Sequence, residues 1–188
     1  MIVLAIDPGS VTAGYAVLTK SGSKIVCLAS GVLKFNKKES FLERVSDIYH
    51  QTENLIAKYT PDQIAIESLI YVKSPTALIK LAQARGAMLA AMREYCENKV
   101  FEYSPNLIKS TVTGHGHADK ESIQKFLQQT LGISSFLTHD ESDAIAIAFC
   151  HLLHHDVPIA KKNLSSPKKV KGRGLSASLS HRIKEPRL

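Results

Sequence analysis

The sequence predicts an α/β fold in which helices flank a five-stranded mixed sheet. Short apolar segments separated by tight turns occupy the first thirty residues, which is typical of antiparallel strands. Helical patterns then alternate with two further short strands, which is typical of parallel strands joined through helices. The length of 188 residues and the hydrophobic content of 44% fit one globular domain with a full core.

The first three strands form a predicted antiparallel meander. Residues 2–6 are apolar and end in a turn that begins with Asp7. Residues 12–18 are rich in β-forming side chains, and the turn at residues 21–23 separates them from a third strand over residues 24–28. Because both connections are short, neighbouring strands in this part of the sheet are expected to be antiparallel.

Helices and two more strands follow the meander. Residues 41–59 place apolar side chains on one face at helical spacing, and residues 63–67 form a predicted fourth strand. A helix capped by Ser74 runs to about residue 97, and a fifth strand covers residues 99–103. Right-handed crossovers then set the fourth strand parallel to the first and beside it.

The remainder of the core is predicted to be helical. A short helix follows Ser104, another covers residues 119–131, and the last begins at Thr138. Glu141 lies three residues after Thr138, which is the spacing of a capping box. This motif places Asp140 in the first turn of the last helix.

Positive charge is concentrated at one end of the chain. From Lys161 onward, nine basic side chains and one acid, Glu185, give +8, whereas the preceding residues carry a net charge of −1. This segment has few large apolar side chains, so it cannot bury enough surface to offset its chain entropy. We predict a folded domain over residues 1–160 and a basic, disordered tail over residues 161–188. The tail either attracts a polyanion without specificity or is simply solvated.

The sequence favours a cytoplasmic protein without membrane contact. Its apolar runs are shorter than the roughly 20 residues of a membrane span, and the N-terminal residues lack a signal-peptide pattern. Three cysteines without a CxxC pair favour reduced thiols over a disulfide framework or a zinc site.

Four carboxylates are predicted to meet at one edge of the sheet. Asp7 follows the first strand and Glu67 ends the fourth, its predicted parallel neighbour. Asp140 and Asp143 are three residues apart on the last helix, so they share a face. Such a group repels itself unless cations neutralise it, and Mg²⁺ prefers oxygen ligands. Two such ions can activate a water and stabilise the leaving oxygen of a phosphodiester.

Parts of this set also have simpler explanations. Asp, Pro and Gly are usual turn residues, so a turn alone would account for Asp7. Acidic side chains near a helix N-terminus interact favourably with the helix dipole, which would account for Asp140 and Asp143. Glu67 could simply mark the end of its strand. That explanation gives no reason, however, for a single acidic residue at the end of an otherwise apolar strand.

Motifs along most of the chain carry a resemblance to a known family. In order they are IDPGS with GYAV, IAIES, ALIKLAQARG, FEYSPNLIKSTVTGHGHADK and DESDAIAIAFCH. Together they resemble the motifs of the RuvC family of crossover junction endodeoxyribonucleases, over roughly residues 1–155. The resemblance implies a ribonuclease H-like fold and a homodimer with two active sites.

The resemblance also implies an activity, a cofactor and partners. The implied activity is the resolution of Holliday junctions, which are four-way DNA junctions, by paired symmetric nicks during recombination and repair. Mg²⁺ is the implied cofactor, with two ions per subunit and Mn²⁺ as a possible substitute. The branch-migration proteins RuvA and RuvB are the implied protein partners.

Carried over to matching positions, the resemblance implies roles for six residues of the site. Four carboxylates match the catalytic, metal-binding residues of the family: Asp7, Glu67, Asp140 and Asp143. Two lysines match basic residues that act in catalysis beside the DNA backbone, Lys109 and Lys120.

Seven side chains are predicted to contact DNA: Ile70, Tyr71, Lys73, Lys80, Arg85, Lys109 and Lys120. The basic ones lie in segments that lead towards the acidic site, where they would neutralise phosphates, although solvated helix-face charge explains any one of them alone. Ile70 matches a loop position that is commonly aromatic in the family, and Tyr71 follows it. We therefore predict that Tyr71 stacks on a junction base, with packing on the following helix as the alternative.

Three other classes of function compete with this prediction. An actin-like sugar kinase shares the turn after the first strand, but it needs two related domains and roughly twice the length. A ribonuclease H-like nuclease acting on another structured nucleic acid would share the acids, so a substrate panel separates the two. A non-catalytic junction-binding protein needs the basic residues but has no need for four convergent carboxylates.

Overall fold

The computed structural model describes residues 1–69, 74–95, 98–114, 116 and 119–155. Within these ranges, five strands form one sheet: β1 (Ile2–Asp7), β2 (Thr12–Ser21), β3 (Lys24–Lys34), β4 (Gln63–Glu67) and β5 (Val100–Tyr103). The α-helices in the same ranges are α1 (Phe41–Tyr59), α2 (Pro75–Ala91), α3 (Pro105–Thr113), α4 (Lys120–Leu131) and α5 (His139–His155). The predicted α/β class is therefore confirmed.

The sheet has the strand order β3-β2-β1-β4-β5. β2 pairs antiparallel with both β1 and β3, which confirms the predicted meander. β4 lies parallel to both β1 and β5, as the crossover rule predicts. The pairing of Ile6 with Ile66 brings the carboxyl ends of β1 and β4 to the same edge of the sheet.

The side chains of the sheet alternate between two apolar cores, because successive residues of a strand face opposite sides. On one face, Leu4 and Ile6 of β1 belong to a cluster that includes Ile48 of α1 and Met88 of α2. On the other face, Val3 belongs to a cluster with residues of α3, α4 and α5. Helices therefore cover both faces, which leaves the strand ends as the place for a ligand site.

The third strand is longer than the sequence predicts. Residues 29–31 are small and weaken the strand pattern, so the predicted strand ends at residue 28. In the structure β3 continues to Lys34, which pairs with Thr12 at the start of β2. Tyr15 pairs with Gly31, and a Cβ on Gly31 would stand 3.0 Å from the Tyr15 ring. Cross-strand packing here outweighs intrinsic propensity.

Helix α5 is the central helix of the second core. Eleven of its 17 residues are buried. Its fully buried His151 donates a hydrogen bond from Nε2 to Gln63 Oε1 and accepts one at Nδ1 from the Tyr103 hydroxyl, both of 2.8 Å. The bond accepted at Nδ1 requires a neutral imidazole, because a protonated ring donates from both nitrogens. Burial, with a smaller effect of His155, lowers the pKa of His151 to about 4.

Several predictions concern residues outside the described ranges. They are the basic tail over residues 161–188 and the loop residues Ile70, Tyr71 and Lys73. The roles predicted for these residues stay predictions. Among the helices that the structure describes, none is long and apolar enough to cross a bilayer.

Candidate active site

Two carboxylates stand at the ends of neighbouring parallel strands. Asp7 is the last residue of β1, and Glu67 is the last residue of β4. The parallel register of these strands carries both side chains to the same edge of the sheet. The turn after β1 packs tightly against β2. Only glycine fits at position 9, since a Cβ there would stand 1.7 Å from the Thr12 carbonyl oxygen. The rigid strand ends therefore fix where the two carboxylates lie.

The first two turns of α5 supply two more carboxylates, Asp140 and Asp143. Asp140 and Asp143 both lie close enough to Asp7 to repel its charge. The helix approaches the sheet this closely because Gly14 of β2 has no side chain, and a Cβ there would stand 1.8 Å from the Asp140 carbonyl oxygen. Asp140 Oδ2 also accepts a hydrogen bond of 2.7 Å from the Thr12 hydroxyl. The sheet thus contacts both the main chain and the side chain of Asp140.

Glu141 points away from this group, as its position on the helix predicts. It is 5% exposed and accepts hydrogen bonds from the Ser30 hydroxyl at 2.6 Å and from the Leu137 amide at 2.5 Å. The Thr138 hydroxyl accepts from the Glu141 amide at 3.2 Å, which is half of the predicted capping box. The Glu141 carboxylate joins the first turn of α5 to the edge strand β3 instead of closing the box.

Two lysines lie beside the carboxylates. A cavity of about 230 Å³ has Glu67, Asp143, Lys109 and Lys120 in its lining. Lys120 Nζ stands 3.1 Å from Asp143 Oδ2, and this hydrogen bond raises the pKa of Lys120. Both lysines also lie close enough to Glu67 to stabilise its charge. Together with Asp7 and Asp140, these residues form one site.

Negative charge in the site is only partly compensated. Burial, followed by repulsion from Glu67, Asp143 and Asp140, raises the pKa of Asp7 to about 8. Burial and Asp143 also raise the pKa of Glu67. Lys120 opposes both effects without cancelling them. Additional positive charge at this position would therefore favour the ionised carboxylates.

The donor set fits a hard divalent cation. Its carboxylates offer only oxygen ligands, which suit Mg²⁺ and Mn²⁺. Among the residues that the structure describes, no three His, Cys, Asp or Glu side chains stand close enough together to hold an ion as they are. Asp143 is paired with Lys120 instead, at 3.1 Å. Binding an ion through all four carboxylates therefore requires side-chain adjustment.

The other described DNA-contact candidates, Lys80 and Arg85, lie on α2. Lys80 Nζ is 6.0 Å from the centre of the Phe41 ring. Arg85 is directed towards β5, where Nη2 lies 2.6 Å from Glu102 Oε1 and the arginine side chain is 12% exposed. The charge of Arg85 is thus paired within the protein, whereas Lys80 is exposed. Their contacts with DNA stay predictions.

The chain is similar in sequence to proteins of one family. A family model described as crossover junction endodeoxyribonuclease RuvC matches residues 3–151. The RuvC protein of Natranaerobius thermophilus is 39% identical over 153 residues, which cover 80% of this chain and 94% of that protein. The RuvC protein of Pseudoalteromonas translucida is 40% identical over 174 residues, which cover 92% of this chain and 97% of that protein.

Solved structures are similar as well. The T. thermophilus RuvC structure in complex with a Holliday junction substrate has a TM-score of 0.76 and 30% identity, covering 82% of this chain and 94% of that chain. The yeast mitochondrial Holliday junction resolvase has a TM-score of 0.61 and 19% identity, covering 82% of this chain and 80% of that chain. At that identity the yeast protein supports the fold alone.

The strand order, the carboxylates at the strand ends and the helix that lies across them define a nuclease with a ribonuclease H-like fold. The chain belongs to the RuvC family of crossover junction endodeoxyribonucleases. Nucleases of this family are metal-dependent, in agreement with the oxygen-only donor set. The family, the fold and the enzyme class expected from the sequence are confirmed.

Three residues that shape the site were not evident from the sequence. Thr12 lies in a stretch of β-forming residues, and Ser30 lies beyond the predicted end of the third strand. Their partners in α5 are 128 and 111 residues away, so no local pattern connects them. Gly14 offered the one usable signal, because a glycine inside a strand often marks the close approach of another backbone.

Proposed function

We propose that this chain is a Holliday junction resolvase that hydrolyses phosphodiester bonds in four-way DNA junctions. The observation that carries the proposal is the buried Asp7, whose pKa is raised to about 8 by burial and by three neighbouring carboxylates. Such a site is best stabilised by cations, and its lysines are suited to a phosphate group. The relative solved with a Holliday junction substrate supports the choice of substrate.

Mg²⁺ is the proposed cofactor, with two ions per subunit and Mn²⁺ as a substitute. The residues that would hold the ions are the four carboxylates of the site, Asp7, Glu67, Asp140 and Asp143. When bound, the ions supply an activated water and stabilise the leaving oxygen. Hard cations with oxygen ligands suit this chemistry better than soft metals, which select thiolates.

The protein's own side chains orient the substrate in this proposal. Asp7 and Glu67 lie on rigid strand ends, so their positions depend little on loop motion. Lys109 and Lys120 lie beside the carboxylates, where their ammonium groups attract the phosphate and stabilise the charge that develops on it. Apolar side chains including Ile108 and Ile147 line the rest of this cavity, so its polar side chains are the two lysines with Glu67 and Asp143.

A homodimer would account for symmetric nicking. A four-way junction has approximate twofold symmetry, and a twofold dimer presents two identical sites to it. Paired nicks in symmetry-related strands then leave two duplexes that can be ligated. Membership of the family supports RuvA and RuvB as partner proteins and the cytoplasm as the compartment. Light scattering after size exclusion measures the dimer directly.

Cleavage of a mobile four-way junction tests the proposal. Linear duplex, single-stranded DNA and an RNA–DNA hybrid of matched sequence form the comparison panel, each with and without Mg²⁺. We expect paired, Mg²⁺-dependent nicks in the junction and much slower cleavage of the other substrates. Preferential cleavage of the hybrid would instead indicate a nuclease for another nucleic acid. Tight junction binding without cleavage in either Mg²⁺ or Mn²⁺ would indicate a binding protein.

A further inference from the structure

We propose that Thr12 is a positioning residue that holds the Asp140 carboxylate in the orientation required for metal binding. The inference rests on the metal-dependent nuclease function proposed above, and it adds a residue to the four carboxylates and two lysines of the site. Thr12 acts through Asp140 and has no direct contact with the substrate in this role.

The contact between the two side chains is short. Thr12 Oγ1 lies 2.7 Å from Asp140 Oδ2 in a partly buried position. Hydrogen bonds from a hydroxyl to a carboxylate at this length are among the stronger ones in proteins. The hydroxyl has a single proton to donate, and a carboxylate has about four acceptor sites. The bond therefore fixes one oxygen while leaving Oδ1 and part of Oδ2 available for other ligands.

The threonine end of this contact lies on a rigid backbone. Thr12 begins β2, where it pairs with Lys34 of β3. The carbonyl of the preceding residue, Val11, accepts a hydrogen bond of 2.9 Å from the Phe35 amide. Because threonine is branched at Cβ, its χ1 angle is also restricted. The hydroxyl therefore occupies a well-defined position relative to the sheet.

At the aspartate end of the contact, other interactions fix the main chain, and the bond from Thr12 restricts the side chain. The Asp140 carbonyl group packs directly against Gly14, where a Cβ would stand 1.8 Å from the carbonyl oxygen. The next residue, Glu141, is tied to Ser30 of β3. These contacts fix the backbone of the first turn of α5. The remaining freedom is the rotation of the Asp140 side chain, which the bond from Thr12 restricts.

A second threonine of the same strand provides a matched control. Threonine favours strands, so Thr12 would be expected in β2 even without a role in the site. Thr19 shares the strand, but its hydroxyl donates to the Met1 carbonyl at 3.1 Å, near the opposite end of β2. If strand formation were the only role, valine would replace either threonine with similar results. The two valine variants therefore separate positioning from strand propensity.

Metal binding in the absence of DNA is the decisive measurement. Mn²⁺ binding is followed by electron paramagnetic resonance, and Mg²⁺ binding by calorimetry, in Thr12→Val, Thr12→Ser and Thr19→Val. Loss of a partner that orients a metal ligand typically weakens metal binding about 10- to 100-fold, and we expect this for Thr12→Val. Thr12→Ser restores the hydroxyl, so its affinity should return to within about threefold of wild type. Thr19→Val should match wild type.

Single-turnover cleavage of a four-way junction adds a second readout. For Thr12→Val the Mg²⁺ concentration at half-maximal rate should rise, while junction affinity without metal and the unfolding temperature stay near those of Thr19→Val. Thr12→Ala gives the same contrast should the valine variant fail to fold. Equal metal affinity in the two valine variants, or failure of Thr12→Ser to restore it, would overturn the role of Thr12. A wild-type protein that binds metal but leaves junctions intact would overturn the proposed function and leave the role of Thr12 standing.

Discussion

At the residue scale, Asp7 combines burial with repulsion from three other carboxylates, so a bound cation would favour its ionised form. Asp7→Asn keeps the shape of the side chain and removes the charge. We expect single-turnover cleavage to fall by at least about 100-fold, because a group that holds the metal is lost. Junction affinity, measured in the same buffer, should change little. Near-wild-type cleavage by a fully folded Asp7→Asn variant would contradict the site.

The two lysines provide a separate residue-scale prediction. An ammonium group beside the scissile phosphate acts mainly on the charge of the transition state, so Lys109→Ala and Lys120→Ala should slow single-turnover cleavage about 10²- to 10³-fold. Their junction affinities should fall much less. Lys125→Ala is the matched control, since Lys125 is exposed on the same helix as Lys120. Weaker binding with an unchanged single-turnover rate would show that the two lysines only anchor phosphates.

At the scale of elements, the position of α5 depends on the missing side chain of Gly14. A methyl group at this position would stand 1.8 Å from the Asp140 carbonyl oxygen, so Gly14→Ala must displace the helix or the strand. A misplacement of about 1 Å in a catalytic group can slow a reaction about 100-fold, and we expect a loss of this order in cleavage. Chemical denaturation should also show a lower free energy of unfolding for Gly14→Ala than for wild type.

A control for this prediction is Gly86→Ala on α2. Nothing lies within 4 Å of a Cβ at Gly86, so the alanine meets no obstacle there. Alanine stabilises a helix interior relative to glycine by about 0.5–1 kcal/mol, so this variant should gain stability where Gly14→Ala loses it. Equal stability of the two variants would contradict the close packing of α5 on β2.

The elements themselves were largely predictable from the sequence, whereas their ends and their long-range contacts were not. Apolar periodicity identified β1, β4 and α1, because the side chains that form the cores recur at strand or helix spacing. The end of β3 depends on Tyr15, which packs over Gly31 from another strand. Likewise, the strand-end carboxylates followed from topology, but the bonds of Thr12 and Ser30 to α5 exist only once the chain has folded.

At the scale of the whole molecule, charge is divided unevenly along the chain. Residues 161–188 carry +8, and the rest of the chain carries −1. Removal of residues 161–188 should flatten the dependence of junction affinity on salt, because fewer counterions are released on binding. The positions of the cuts should not change. Affinity measured at several salt concentrations tests this, with a full-length variant whose Lys and Arg in this segment are changed to Gln as the control. Altered cut positions would contradict a purely electrostatic contribution.

Two buried groups give the metal-free protein opposing dependences on pH. The pKa of Asp7 is about 8 in the folded state against 3.8 ordinarily, so the folded state holds one proton more than the unfolded state between these values. The free energy of unfolding then falls by about 1.4 kcal/mol per pH unit as pH rises. For His151 the folded pKa is about 4 against 6.5, so the unfolded state holds the extra proton. Its contribution to the free energy of unfolding rises with pH by the same slope between these values.

The pKa of Glu67 is also raised from its ordinary 4.5, so Glu67 adds to the Asp7 slope. The His151 slope should oppose both carboxylates between pH 4 and 6.5, and the carboxylate slope alone should remain from pH 6.5 towards pH 8. Chemical denaturation in EDTA across this range measures both. Asp7→Asn should remove most of the loss of stability above pH 6.5, and His151→Phe should extend that loss down to pH 4. Mg²⁺ favours the ionised form of Asp7, so it should restore stability above pH 6.5 in wild type and far less in Asp7→Asn. A free energy of unfolding that rises from pH 6.5 to 8 in EDTA would contradict the raised pKa of Asp7. Equal stabilisation of both proteins by Mg²⁺ would place the ion elsewhere.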